Sequence, residues 1–297
     1  MNGGDVGAVG SPMNGRLPII FNVVSIVFGG FLMLFLFSSD NYVLLADKSS
    51  YHMIMLISYL SILIFLWLTK STNPGILNKK SSRNDFANRK RVNHRSNKQE
   101  IELSKMTLSL EDEYVNVLKS MAEGVDKKFP DLCHSCHIVK PPRSKHCRIM
   151  RRCVLVYDHY CPFVGNTIGM YNHAYFYMFL NSIVVAIGTA LFLEYILFRR
   201  GGVIGFGIIL LSAYLSIILL SVGTLAVTHC IFFIQNMTSN EFENIKRYDH
   251  FWREGAYFNP FNRGTVMNCQ MRCCPSDQLY QLPNGMGQNP YVVMNRV

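Results

Sequence analysis

The sequence predicts an α-helical integral membrane protein with four transmembrane helices and a cytosolic cysteine-rich domain between helices 2 and 3. Three observations carry this expectation. First, 49% of the 297 residues are hydrophobic and mean hydropathy is positive at +0.16, which is too apolar for an ordinary soluble enzyme. Second, four apolar runs, 17–37, 51–68, 174–198 and 203–234, approach or exceed the roughly 20 residues that cross a bilayer. Third, charge and cysteine concentrate between the second and third runs. Residues 70–152 hold 19 of the 29 Lys and Arg against nine of the 19 Asp and Glu, and five of the nine cysteines fall between Cys133 and Cys161.

In chain order, residues 1–16 are expected to form a cytosolic N-terminal tail. Residues 17–69 carry transmembrane helices 1 and 2. Only Arg16 immediately precedes the first run and no small-residue cleavage site follows it, so it reads as a retained anchor. Residues 70–130 form a cytosolic basic linker and surface helix. The positive-inside rule places this excess of cations in the cytosol, and four crossings bring both termini to the same side. Arg199 and Arg200, in the short connection between runs three and four, oppose that topology weakly. The Ser-, Asn-, Lys- and Arg-rich stretch 79–98 reads as solvated linker, and Leu103, Met106, Leu110, Val117 and Met121 recur at helical spacing. The net charge of +10 suits anionic lipid headgroups beside a bilayer better than nucleic acid.

Residues 131–173 make the cysteine-rich domain. In a reducing compartment disulfides are disfavoured, so Cys133-x2-Cys136, followed by His146 and Cys147 and then Cys153, is read as offering a tetrahedral zinc site. Knuckle spacing and thiolate-plus-imidazole donors are what that ion takes. Its binding free energy folds a small, core-poor region. Residues 174–235 carry transmembrane helices 3 and 4, in which Asn181, Glu194 and His229 are expected to face the bundle interior, with Glu194 near Arg199. Residues 236–297 form a cytosolic C-terminal region. There Thr238-x-x-Glu241 predicts a capping box, followed by an amphipathic helix with Phe242, Ile245, Tyr248 and Phe251 on one face. Cys273 and Cys274 form a pair that lipidation could modify.

The segment Asp158-His159-Tyr160-Cys161 precedes the third run by about ten residues. A cysteine attacks as thiolate, and a histidine oriented by a carboxylate can take its proton. Asp158, His159 and Cys161 supply those parts close to a membrane surface, since ten extended residues reach at most about 35 Å.

These residues resemble the DHHC-type (here DHYC) protein S-acyltransferases, or palmitoyltransferases. Cys133-x2-Cys136, Lys140-Pro141-Pro142-Arg143-Ser144-Lys145-His146-Cys147 and Asp158 through Asn166, then Gly169 and Asn172, follow that family's cysteine-rich domain. Asn73-Pro74-Gly75 looks like its DPG element, Thr238-Ser239-Asn240-Glu241 like its TTxE element, and Asn259-Pro260-Phe261 through Asn268 like its C-terminal Asn-containing motif. The resemblance implies transfer of a long-chain acyl group from acyl-CoA, through a Cys161 acyl-enzyme, to cysteine thiols of client proteins at the cytosolic membrane face. His159 would be the base and Asp158 its orienter. The CoA phosphates would meet Lys140, Arg143, Lys145, Arg148, Arg151 and Arg152, and Tyr175, Phe176 and Phe179 would line the acyl cavity. It further implies an endomembrane location, Golgi or endoplasmic reticulum. Family members typically hold two zinc ions. The first set, Cys133, Cys136, His146 and Cys153, is complete here; of the second, only Cys147 remains beside Met150, Tyr160 and Thr167. One zinc is therefore expected, with Cys147 a free thiol. Phe163 replaces the usual Trp and is expected to keep an aromatic wall. The rival reading is a catalytically impaired adaptor that binds clients without turnover.

Overall fold

The computed structural model describes residues 46–77, 94–124, 131–200 and 206–276. The expected N-terminal tail and first membrane run, most of the basic linker and the last 21 residues lie outside the described residues. Among the described residues, three helices are long and apolar enough to cross a membrane: α1 (Ser49–Ser71), α3 (His173–Arg199) and, over Ile208–Gln235, α4 (Phe206–Gln235). Between α1 and α3 come the short strand β1 (Ile76–Leu77), the long helix α2 (His94–Ala122) and six further short strands, β2 to β7, within 132–168.

α1 packs along α3, and α3 along α4. Met55, Ala190, Leu193, Leu197 and Leu215 fill one end of this bundle. The outward faces stay apolar, with Trp67 65%, Ile217 64% and Leu220 73% exposed, a distribution that suits lipid and not water. Hydroxyls inside the spans return to the carbonyl four residues back, as Ser58 does to Ile54 at 2.6 Å and Thr69 to Phe65 at 2.6 Å. At the end away from the cysteine-rich domain, Arg200 donates to both carboxylate oxygens of Asp47 at 2.5 Å. Glu194 faces the bundle interior as expected, and it accepts from Ser212 Oγ on α4 at 2.5 Å.

The cysteine-rich domain is fastened to the end of α1. A helix leaves its last carbonyls unsatisfied, and two asparagines answer them: the Asn166 amide donates to the carbonyls of Thr69, Lys70 and Thr72, each at 3.1 Å, and that of Asn172 to Thr69 at 3.1 Å. Asn73 then folds the chain by accepting from the N–H groups of Gly75 and Ile76 at 3.0 and 2.8 Å. Strand β1 adds antiparallel to β5 (Arg152–Val154), which pairs on its other edge with β4 (Lys145–Cys147). Gly169 makes the close approach possible, since a Cβ there would lie 2.6 Å from the Pro74 carbonyl oxygen. Over the outer side lies α2, whose Leu103, Leu110, Tyr114 and Val117 pack with Cys133, Ile138, Val139 and Leu155. Met121, expected on the same face, is 42% exposed.

After α4 the chain turns back onto the domain. Thr238 and Glu241 form the anticipated capping box at the start of α5 (Ser239–Glu243). The longer amphipathic helix does not form. The Asn244 amide donates to the Asn240 carbonyl at 2.9 Å, and the chain continues as two short 3-10 turns. Phe251 is fully buried with Ile245 and Tyr248 packed against its cluster, while Phe242 is 59% exposed, so Phe242 leaves the face that the other three share. Asn259 and Asn268 cap the carbonyl end of α4, donating to Gln235 and Ile234 at 2.6 Å each. Asn268 sits in the last helix, α6 (Thr265–Cys273), which packs on α4.

Candidate active site and metal centre

Hairpin β2 (Leu132–Cys133) with β3 (Ile138–Val139) and the β4–β5 pair bring Cys133, Cys136, His146 and Cys153 together, with their donor atoms all within 4.8 Å of one another. His146 Nδ1 lies 3.5, 3.3 and 3.9 Å from the sulfurs of Cys133, Cys136 and Cys153. The edge of a tetrahedron with arms of about 2.0–2.3 Å is about 3.5 Å, so the set fits a tetrahedral ion. A hydrogen bond from Cys153 holds the Cys136 thiol down to about 5, while the same bond and burial push Cys153 up.

Strands β6 (His159–Cys161) and β7 (Asn166–Ile168) present the candidate thiol. Cys161 is buried in an apolar cluster with Val164, Ile168, Phe176, Phe179, Leu180 and Ala226, where the cysteine-rich domain meets α3 and α4. Phe176 and Phe179 thus lie beside the sulfur, and Tyr175 is not part of the cluster. His159 Nδ1–H donates to Asp158 Oδ2 at 2.6 Å, and the same ring is hydrogen-bonded to Cys161. Burial opposes a charge on His159, but the bond to Asp158 and the nearby thiol outweigh it and push the imidazole up to about 10. Burial likewise pushes the Asp158 carboxyl up, yet the surrounding imidazoles, His159 bonded to it, hold it well below the ordinary carboxylate range. Two further donors fix that carboxylate: Ser239 N–H to Oδ1 at 2.8 Å and Ser239 Oγ–H to Oδ2 at 2.9 Å. The arrangement sets an imidazole held by a carboxylate beside a thiol in an apolar surround.

Behind Asp158 sits a second layer. His173 Nε2 lies 3.9 Å from Asp158 Oδ1 and 3.1 Å from His229 Nδ1, and Arg272 on α6 donates through Nη1 to His173 Nδ1 at 2.9 Å. Sequence reasoning singled out His229 only as an interior polar group and missed Ser239, His173 and Arg272. Ser239 was within reach, because the N–H groups at a capped helix start seek an anion. A histidine at the head of an apolar run is itself a signal. Arg272 carries none, lying in a polar tail.

The six cations divide. Arg143 is buried: it holds Glu241 through Nε at 2.6 Å and Nη2 at 2.7 Å, while Nη1 donates to Asn236 Oδ1 at 3.0 Å. The expectation that it meets CoA phosphates is corrected, since the ion pair takes the guanidinium out of solvent. Lys140 pairs with Asp131 at 3.4 Å and Lys145 donates to Asn240 Oδ1 at 2.5 Å. Arg148 and Arg151 are exposed and Arg152 is half-buried. Phe163 is 52% exposed, so it does not wall the buried site. Where the second ligand set would stand, Thr167 donates to Cys147 Sγ at 3.3 Å and lies across the hairpin from Tyr160. Both Thr167 and Cys147 are buried.

Fold and site together define a helical membrane protein with a cysteine–histidine metal cluster and a carboxylate–imidazole–thiol constellation beside the bundle. Residues 126–246 match the family model described as DHHC palmitoyltransferase. It is similar to palmitoyltransferase Hip14 of Drosophila melanogaster, 31% identical over 49% of this chain and 25% of that protein. It is also similar to probable protein S-acyltransferase 3 of Arabidopsis thaliana, 26% identical over 69% of this chain and 48% of that one. Palmitoyltransferase ZDHHC15 of Rattus norvegicus is 29% identical over 59% of this chain and 56% of its own length. The chain thus spans about half or less of the curated relatives it matches.

Proposed function

We propose that the chain is a protein S-acyltransferase that moves a long-chain acyl group, palmitoyl, from acyl-CoA to cysteine thiols of client proteins. The observation that carries this reading is the Asp158–His159–Cys161 constellation set in the apolar cluster of α3 and α4. Cys161, as thiolate, attacks the thioester carbon and CoA leaves as a thiolate that takes the proton of His159. A client thiol then gives its proton back to His159 and attacks the acyl carbon, and Cys161 departs. Transfer between thioesters is nearly isoenergetic, so the protein's contribution is thiolate, position and an apolar bed for the chain. Cys133, Cys136, His146 and Cys153 hold one zinc ion, whose part is to fold the strands that present Cys161.

We further place the cysteine-rich domain and both termini in the cytosol of an endomembrane, Golgi or endoplasmic reticulum, with four crossings. The domains follow as 1–16 tail, 17–69 and 174–235 membrane helices, 70–130 linker and surface helix, 131–173 zinc domain and 236–297 C-terminal region. Arg148, Arg151, Arg152, Lys145 and Lys140 remain the residues for CoA phosphates. Incubation of purified protein with labelled palmitoyl-CoA tests the reading. Hydroxylamine-labile label that is present in the wild type and lost in Cys161→Ser supports it; no Cys161-dependent label overturns it.

A further inference from the structure

The imidazoles behind Asp158 have a fixed direction of hydrogen bonding. Arginine has only donors, so the bond from Arg272 Nη1 makes His173 Nδ1 an acceptor and leaves the ring's proton on Nε2. That Nε2–H has His229 Nδ1 at 3.1 Å and Asp158 Oδ1 at 3.9 Å, and only the former is within hydrogen-bond range. His229 Nδ1 therefore accepts, and the single proton of neutral His229 sits on Nε2. The same logic disposes of a metal between Asp158, His173 and His229, although their donor atoms lie within 4.8 Å of one another. Ligation through His173 Nε2 would turn an N–H at Nδ1 toward the Arg272 donor.

His229 is 1% exposed, and no hydrogen bond reaches its Nε2 among the described residues. It stands beside the thiol site. Its ring centroid is 6.0 Å from that of His159, and Phe176 touches both rings edge-on at 5.1 and 5.3 Å. Ala226, one turn earlier on α4, belongs to the cluster that buries Cys161, and residues three apart share a helix face. Asp158, His159 and Cys161 generate the nucleophile, but none of them is a donor for the oxygen of the carbonyl under attack. That oxygen gains a full negative charge in the transition state, and a donor held ready in a water-poor site is worth most there.

We propose that His229 is a further catalytic residue, whose Nε2–H donates a hydrogen bond to the thioester carbonyl oxygen as Cys161 attacks and again as the acyl group leaves. The inference rests on the S-acyltransfer reading. His229 itself transfers no proton: the C–S bond to Cys161 forms, the oxygen becomes anionic against the N–H, and the C–S bond to CoA breaks as the electron pair returns, with His159 protonating the departing CoA thiolate. In the second step the client sulfur and Cys161 exchange roles around the same oxygen. Arg272 and His173 are positioning residues, which hold the His229 tautomer.

The test compares His229→Leu, which fills the space without a donor, with His229→Gln, which keeps an N–H at similar reach. Two rates are read on the full chain: single-turnover acylation of Cys161 by palmitoyl-CoA, and alkylation of Cys161 by iodoacetamide, a displacement that develops no oxyanion. Loss of one such donor typically slows acyl transfer about 100- to 1,000-fold. That loss is expected in His229→Leu, with His229→Gln well above it and alkylation of both variants within about twofold of wild type. Equal acylation of the two variants, or a parallel fall in alkylation, overturns the proposal. A wild type that shows no Cys161 acylation instead overturns the S-acyltransfer reading on which it rests.

Discussion

The Arg143 guanidinium grips the Glu241 carboxylate through two parallel bonds of 2.6 and 2.7 Å, joining the cysteine-rich domain to the segment that follows α4. Both side chains are shut off from solvent, at 0% and 3% exposure, and the Phe261 ring lies 4.2 Å beneath the cation. Removing one member of a buried pair costs about 3–5 kcal/mol, because the other is left uncompensated. Arg143→Ala and Glu241→Ala are each expected to destabilise the fold by an amount of that order, read in detergent as a lowered thermal unfolding midpoint. The double variant is expected to fall well short of the sum of the singles, which a double-mutant cycle measures.

Ser239 is the test of how Asp158 is held. Ser239→Ala removes the hydroxyl donor and leaves the N–H, and a hydrogen bond to a charged group contributes about 1.5–3 kcal/mol. Single-turnover acylation of Cys161 is expected to slow at least about tenfold, with Ser239→Thr restoring it.

His159 sets the pH response. Its imidazole is raised from the free value near 6.5 to about 10 by its partners, so the stability of its charged pair with Asp158 is fully present below about 6.5 and is lost as pH rises through about 10. The depressed Asp158 carboxyl acts in the other sense: its contribution is present above the ordinary carboxylate range and is lost only in strong acid. Acylation rates are expected to decline on the alkaline side with a limb near 10. Asp158→Asn should move that limb down toward the free histidine value, as a pH–rate series would record.

Metal analysis of the purified chain is expected to give about one zinc. Cys153→Ala should remove it and destabilise the fold, whereas Cys147→Ala should keep the metal. About two ions per chain would contradict the single ligand set.

Gly169→Ala places a Cβ 2.6 Å from the Pro74 carbonyl oxygen and 2.7 Å from Val154 Cγ1. Such overlap typically costs about 1–3 kcal/mol. Gly188→Ala, which meets nothing within 4 Å, is the matched control. Urea or thermal unfolding of the two separates close packing from general glycine effects.

The metal cluster and the thiol constellation were legible in the sequence because their chemistry is local. Cys133 and Cys136 are spaced by a knuckle, and Asp158, His159 and Cys161 fall within four residues. The capping box at Thr238 was legible for the same reason. What escaped were contacts between distant segments. Ser239 meets Asp158 from 81 residues away and Arg272 meets His173 across 99, and nothing in a linear pattern reports such pairs. Arg143 was misread as a solvent cation because its charge was visible and its partner was not. The helix expected after Glu241 failed for a related reason. Periodicity counted Phe242, Ile245, Tyr248 and Phe251 alike, while burial of Phe251 with Phe232, Met237 and Phe261 gave the segment another shape.

Asn166 and Asn172 at the end of α1, with Asn259 and Asn268 at the end of α4, occupy helix carbonyls that would otherwise recruit water. A thioester is spontaneously hydrolysable, so the acyl-enzyme that the proposed function requires at Cys161 would have to outlive the wait for its acceptor. By putting amides where solvent would otherwise bind, the fold removes two places for water to lodge at the ends of the bundle helices.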